Sequence, residues 1–294
     1  MTDPTAPRRA VLVDPADLAP ELAGPRPPRL LDVRWALGAP HGLADHREAH
    51  LPGAVFVDLD EELSGPAAPG VGRHPLPDPE RLQEAARRWG LRQGEPVVAY
   101  DATGNLAAAR AWWVLRWAGV ADVRLLDGGL QAWQEAGLPV ESGEVVPQPG
   151  DVVVTPGRLP HLDTDDVLDH VREGGLLLDA RPASRYRGEP NPIDPVLGHV
   201  PGAVSAPTTE LLGADGRFLD AVALKARFGD LGAHPGRPVA VYCGSGVTAA
   251  HEIAALAVAG IDAVLYPGSW SQWATQPGRP VAVGEAPGDP HPPE

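Results

Sequence analysis

Apolar residues fall along the chain in short β-branched runs, separated by stretches with helical spacing. In the second half, Leu176–Asp179, Val239–Tyr242 and residues 263–266 read as strands. Helices are expected near residues 165–172, 221–228 and 247–259. Strand runs that are apolar throughout predict burial on both faces, hence a parallel sheet with helices on either side. Asp14 before Pro15, and Thr164 with Asp165, mark helix starts where side-chain oxygens can cap free amides. Gly119 and Gly260 stand where a left-handed helix end is expected.

The pattern occurs twice. LLDVRW, from Leu30, returns as LLDARP, from Leu177. AHLPGAVFV, from Ala49, returns as GHVPGAVSA, from Gly198. PVVAYDATG, from Pro96, returns as PVAVYCGSG, from Pro238, and LLDGGLQAW, ending at Trp133, as LYPGSWSQW, ending at Trp273. Four landmarks in one order mean two copies of one domain, with a period too long for a solenoid. The Pro- and Gly-rich stretch at 139–157 reads as the linker, with Val152 to Val154 as a short extended piece. The residues after Thr275 read as a wrapping or dangling tail.

The formal charge of −15 argues against sequence-blind nucleic-acid binding. It also makes an anionic ligand depend on local arginines. Lys225 is the only lysine, so nearly all positive charge is guanidinium, suited to bidentate grip on oxyanions. Residues 1–21 lack the apolar stretch of a signal peptide, and no segment has the roughly 18 apolar residues of a membrane span. A cytoplasmic protein is expected.

Cys243 is the only cysteine, which excludes an internal disulfide and a cysteine-rich zinc site. It ends a strand and is followed by Gly244, Ser245, Gly246, Val247 and Thr248, which lead into a helix. In an open parallel sheet, ligands sit beyond such strand ends. Two glycines let the backbone curl so that successive N–H groups point at one centre, and the helix start adds its positive end. A free thiol of pKa near 8.5 is only about 3% thiolate at neutral pH. One or two charge-assisted hydrogen bonds, at roughly 1.5–3 kcal/mol each, are enough to make the nucleophilic thiolate a major species. The matching residue in copy one is Asp101, which cannot carry sulfur, so that copy reads as catalytically silent. A cysteine phosphatase would need an arginine where Ala249 stands.

The loop at 243–249, the two HxPGA motifs and the Asp101-for-Cys243 exchange resemble the tandem rhodanese-domain sulfurtransferases, and among them the 3-mercaptopyruvate type. The resemblance covers nearly the whole chain. It implies an α/β fold of two rhodanese-like domains, each a small parallel sheet flanked by helices on both faces. The silent domain would span 8–138, the linker 139–157, the catalytic domain 158–276 and the tail 277–294. It also implies sulfur transfer from a small anionic donor, through a Cys243 persulfide, to cyanide or a thiol acceptor such as thioredoxin, with no metal or organic cofactor. Neither nucleic acid nor membrane is an expected partner.

The family's residues carry over one by one. Cys243 is the nucleophile. Ser245, His74 and Asp60 match a Ser-His-Asp relay, Arg187 in RYRG the substrate arginine, and Gly244, Gly246, Val247 and Thr248 the substrate loop. Thr248 either donates near the sulfur or caps the helix. Ile193 stands where family members often have a second arginine. Thiosulfate-type members tend to carry a basic residue straight after the cysteine, whereas here Gly244 and Ser245 follow it. A thiosulfate:cyanide sulfurtransferase and a non-turnover persulfide carrier are the alternatives. His50, His199, Trp112, Trp113, Trp133 and Trp273 read as architecture. Asp32 with Arg34, and Asp179 with Arg181, read as strand-end ion pairs, and Arg110 as a bridge between the domains.

Overall fold

The computed structural model describes residues 6–39 and 41–291. They form two compact units: residues up to 65, 76–159 and 212–219 in the first; 66–75, 160–211 and 220 onward in the second. The first holds five parallel strands: β1 (Leu12–Val13), β2 (Arg29–Asp32), β3 (Val55–Phe56), β4 (Val97–Tyr100) and β5 (Val123–Leu126), in the order β1-β5-β4-β2-β3. The second holds four: β6 (Leu176–Asp179), β7 (Val204–Ser205), β8 (Val239–Tyr242) and β9 (Val264–Leu265), in the order β7-β6-β8-β9. Helices flank each sheet. Every residue of β4, β6 and β8 is buried, as their unbroken apolar runs require.

The register repeats along with the sequence. Asp32 lies opposite Tyr100 and Asp179 opposite Tyr242. The Tyr100 hydroxyl accepts from Leu51 N–H at 3.0 Å and that of Tyr242 from Val200 N–H at 3.2 Å. Each HxPG turn is thus pinned to an inner strand of its own sheet. His50 and His199 are fully buried and bond backbone carbonyls of His46 and Tyr186, so both are architectural. The four tryptophans read as packing are buried as well. Both ion pairs form, Arg34 with Asp32 at 2.7 Å and Arg181 with Asp179 at 2.6 Å. Arg110 is buried in the first unit, where it donates to Leu63 O.

Several local expectations shift. The helices are Asp166–Arg172, Ala221–Asp230 and Thr248–Val258, and the last strand is only Val264–Leu265. Asp14 and Asp165 stand at N-cap positions but make no capping bond. Their carboxylates are drawn to Arg217 and Arg279 instead. The side-chain caps belong to Asp58, Asp78 and Asp220, each accepting two N–H groups. Gly119 and Gly260 are left-handed after their helices, as expected.

Val152 to Val154 form no strand. The linker is anchored to the first unit by Gly150 N–H to Arg87 O, at 2.8 Å, and by burial of Val152. The tail wraps the second unit: His199 and Ala282 exchange both backbone bonds, and Gly202 N–H donates to Pro287 O at 2.6 Å. Residues 292–294 lie outside the described residues.

Helix Thr248–Val258 carries an anomaly. Glu252 is fully buried, and neither carboxylate oxygen has a hydrogen-bond partner. Burial, then the negative charges of Asp179 and Cys243, hold its pKa well above the usual carboxylate range. Stability from such a group is complete below its unfolded pKa, near 4.3, and is lost as pH rises through the folded value. We therefore expect Glu252→Gln to raise the thermal midpoint, with a gain larger at pH 8 than at pH 5. Parallel midpoint-versus-pH curves for the two proteins would show that Glu252 does not titrate in this way.

Candidate active site

The loop after β8 closes on its own first residue. Gly246 N–H points at Cys243 Sγ at 3.1 Å and Ser245 N–H at 3.5 Å. Gly246 makes this curl possible with φ +79°, and a Cβ there would lie 2.4 Å from Pro267 O. The segment after β9 holds the loop from behind. Trp270 and Ser271 N–H groups donate to the carbonyls of Cys243 and Gly244, at 3.0 and 2.9 Å. Cys243 N–H donates to Ser269 Oγ at 3.1 Å, and that hydroxyl donates to Tyr266 O at 2.9 Å. Ser269 carries φ +53°, one of two non-glycine residues in the left-handed region among the described residues. Such strain at a site marks a position the surroundings over-determine.

The first unit shows the same loop with other contents. The Asp101 carboxylate accepts from the N–H groups of Thr103, Asn105, Ala107 and Ala108, at 2.7–3.0 Å. Burial pushes this carboxyl above its ordinary range, and the four donors oppose the shift. The curled loop is therefore an anion cradle in both copies. In one it is filled by a side chain that can do no sulfur chemistry.

Around Cys243 the second unit gathers polar groups. His74 Nδ1 lies 2.8 Å from Ser245 Oγ, with both residues buried. Arg73 Nη2 donates to Gly244 O at 3.3 Å, and Arg73 N–H to Ser271 Oγ at 3.0 Å. Arg185 grips Asp194 bidentately at 2.6 and 2.7 Å. A Cβ on Gly244 would meet the Nη2 atoms of both Arg73 and Arg185 at 3.0 Å. Cys243 itself is 1% exposed, so a donor must enter between these groups.

The structure brings together Cys243, Gly244, Ser245, Gly246 and His74. Val247 is the N-cap residue and Thr248 the first residue of the helix that follows, so Thr248 is not its cap. Arg187 lies on the short helix Ala183–Arg187, partly exposed and paired with Glu189 at 2.6 Å. Arg185, two residues earlier, is the one beside the loop. Asp60 belongs to the first unit, where its Oδ1 accepts from Trp35 Nε1 at 2.9 Å, and its place in a relay rests on the resemblance alone. Sequence reasoning missed Arg73 and Ser269. Arg73 immediately precedes the singled-out His74, and the repeat alignment sets Ser269 against Gly129, a polar-for-glycine exchange beside the nucleophile.

Comparison with known proteins agrees with this geometry. The rhodanese-like domain model matches residues 14–136 and again 163–276, and the chain belongs to this family. A Mycobacterium tuberculosis relative, provisionally named thiosulfate sulfurtransferase SseB, is 49% identical over 95% of this chain and 99% of its own. A Pseudomonas aeruginosa relative, provisionally named 3-mercaptopyruvate sulfurtransferase, is 50% identical over 87% of this chain and 92% of its own. The crystal structure of SseA from Escherichia coli, a 3-mercaptopyruvate sulfurtransferase, superposes with TM-score 0.79 at 35% identity, over 88% of this chain and 98% of that one.

The curl makes a sharp demand on Gly246. Gly246→Ala should lower the urea midpoint and slow alkylation of Cys243. The left-handed backbone costs roughly 1–2 kcal/mol, and the forced contact with Pro267 O about 1–3 kcal/mol more. Gly236→Ala, with φ +84° and nothing within 4 Å of the new methyl, should show the first cost only. Equal losses would mean that Pro267 yields freely.

Proposed function

We propose that the protein is a sulfurtransferase that takes sulfur from 3-mercaptopyruvate and passes it to a thiol or to cyanide through a Cys243 persulfide. One observation carries the choice of donor: the Ser245–His74 pair beside the sulfur, at 2.8 Å. A proton carrier is needed when the leaving group is an enolate and is idle when it is sulfite. The Cys243 thiolate attacks the mercapto sulfur. The carbon–sulfur bond breaks, its electron pair goes to the pyruvate enolate, and the enolate carbon takes a proton relayed from His74 through Ser245. The N–H groups of Ser245 and Gly246 face the sulfur that takes part in both steps. An acceptor thiolate or cyanide then attacks the outer sulfur and returns Cys243 as thiolate.

Thiosulfate as donor is the second reading, supported by the name of the Mycobacterium tuberculosis relative and by Ile193. Against it stands the space over Gly244. The basic side chain that thiosulfate-type members tend to carry there would start 3.0 Å from the guanidinium ends of Arg73 and Arg185, which would have to give way and would repel its charge. The physiological acceptor, thioredoxin or another thiol, and a cytoplasmic location belong to the same proposal. No helix among the described residues is long and apolar enough to cross a membrane.

Donor-specific kinetics test this. We expect a higher kcat/KM with 3-mercaptopyruvate than with thiosulfate, and no turnover by Cys243→Ser. Intact mass should gain one sulfur after the donor and lose it to cyanide. A kcat/KM for thiosulfate equal to or above that for 3-mercaptopyruvate overturns the donor assignment, and sulfur uptake only from a protein partner favours the carrier.

The proton path has its own check. His74→Ala should slow pyruvate formation about 10²–10⁴-fold, the usual range for general acid–base catalysis. Thiosulfate turnover should change far less. An unaltered 3-mercaptopyruvate rate removes His74 from the reaction.

A further inference from the structure

The charges around Cys243 do not balance, and the imbalance falls on one residue. Three guanidiniums, of Arg73, Arg181 and Arg185, share this part of the second unit with two carboxylates, of Asp179 and Asp194. Arg181 is gripped by Asp179 at 2.6 Å, lies 3.6 Å from Asp194, and stacks over Trp270. Arg185 is paired with Asp194 through two short bonds, from Nε and Nη2. Among the described residues, Arg73 has no carboxylate within ion-pair distance. It donates one bond to a neutral carbonyl, and its buried Nε has no partner. Burial, and then the like charge of Arg185, hold its pKa below the ordinary arginine value, and the opposing charges of Asp194 and Cys243 offset this only in part. A partly desolvated guanidinium without an ion-pair partner carries a cost that a bound anion reduces.

A cavity of about 370 Å3 opens beside it, lined by Ala67, Ala68, Pro69, Pro195 and Thr275 together with Arg73. Its walls are mainly apolar and small. Arg73 Nη2 reaches Gly244, next to the nucleophile. A ligand with a short carbon body and one carboxylate matches this combination, because its anionic end neutralises Arg73 while its body meets apolar walls.

We infer that Arg73 is a carboxylate-binding residue of this site, a substrate-binding role for small 2-oxo acids that Arg187, partly exposed and paired with Glu189, does not fill. Arg73 stands in for the second arginine that Ile193 lacks. It is supplied from the sequence of the first repeat, while Arg185 is held in place by Asp194 and shapes the rim. The inference rests on the sulfurtransferase reading for the identity of the substrate, but not for the test of the residue.

The lone cysteine makes that test direct. Iodoacetate and iodoacetamide alkylate one thiol and differ in a carboxylate, so their rate ratio, read by intact mass, reports a cation beside Cys243. Arg73→Gln should lower the iodoacetate-to-iodoacetamide ratio about tenfold or more, the value of one charge-assisted bond, and raise KM for 3-mercaptopyruvate. Arg73→Lys should recover part of both, and the remote Arg172→Gln should match the wild type. An unchanged ratio in folded Arg73→Gln, or a collapse confined to Arg185→Gln or Arg187→Gln, overturns the assignment.

Should Arg73→Gln not fold, wild-type arginines are modified with phenylglyoxal and mapped by peptide mass. Protection of Arg73 by pyruvate supports the role, and equal modification with and without pyruvate rejects it. A protein that shows the ratio change but does not turn over 3-mercaptopyruvate keeps Arg73 and loses the donor reading. Turnover without the ratio change does the reverse.

Discussion

The site depends on main-chain N–H groups converging on one sulfur atom. To aim Ser245 and Gly246 at Cys243, the chain must curl left-handed at Gly246, and the curl leaves no space between that residue and Pro267. The exposed carbonyls of Cys243 and Gly244 must then be met from elsewhere, which the N–H groups of Trp270 and Ser271 accomplish. Those two residues can do so only because the chain turns sharply at Ser269, whose strained backbone is fixed by a hydroxyl bonded on both sides. Parallel strands β8 and β9 bring the two segments side by side. Each element of the C-terminal sheet near the site answers a requirement set by that convergence.

The electrostatics work locally against the whole. A chain of net charge −15 repels anions at long range. Beyond about 8–10 Å, physiological salt screens that field, and nearby buried charges dominate. In the cluster of Arg73, Arg181 and Arg185 the last two are held by short ion pairs and Arg181 is fully buried, so these charges act at close quarters. Asp179 and Asp194 fix two of them rigidly and leave the third to the ligand.

Most of the architecture was legible in the sequence because it recurs. Repeated LLD, HxPG and strand-loop-helix segments revealed two copies, and the unbroken apolar runs gave the strand positions to within a residue or two. Cys243 was legible as the candidate nucleophile because a lone thiol ended such a run. What escaped was set by long-range pairing. Asp14 and Asp165 have the composition of caps, yet arginines distant in sequence claim them. Within RYRG, the resemblance pointed to Arg187, whereas Arg185, of the same charge, is the one beside the loop. The difference is Asp194, nine residues on, which holds the former, whereas Glu189 draws the latter toward solvent. Arg73 was hidden because its segment lies in the first repeat of the sequence but in the second compact unit of the structure.

Cys243 is buried and is the chain's single thiol. Once loaded, it has no resolving cysteine in cis to expel the sulfur as a disulfide forms. Discharge therefore waits for an outside nucleophile small or slender enough to reach the rim, and the loaded enzyme is a stored intermediate whose lifetime is set by its partners rather than by its own fold.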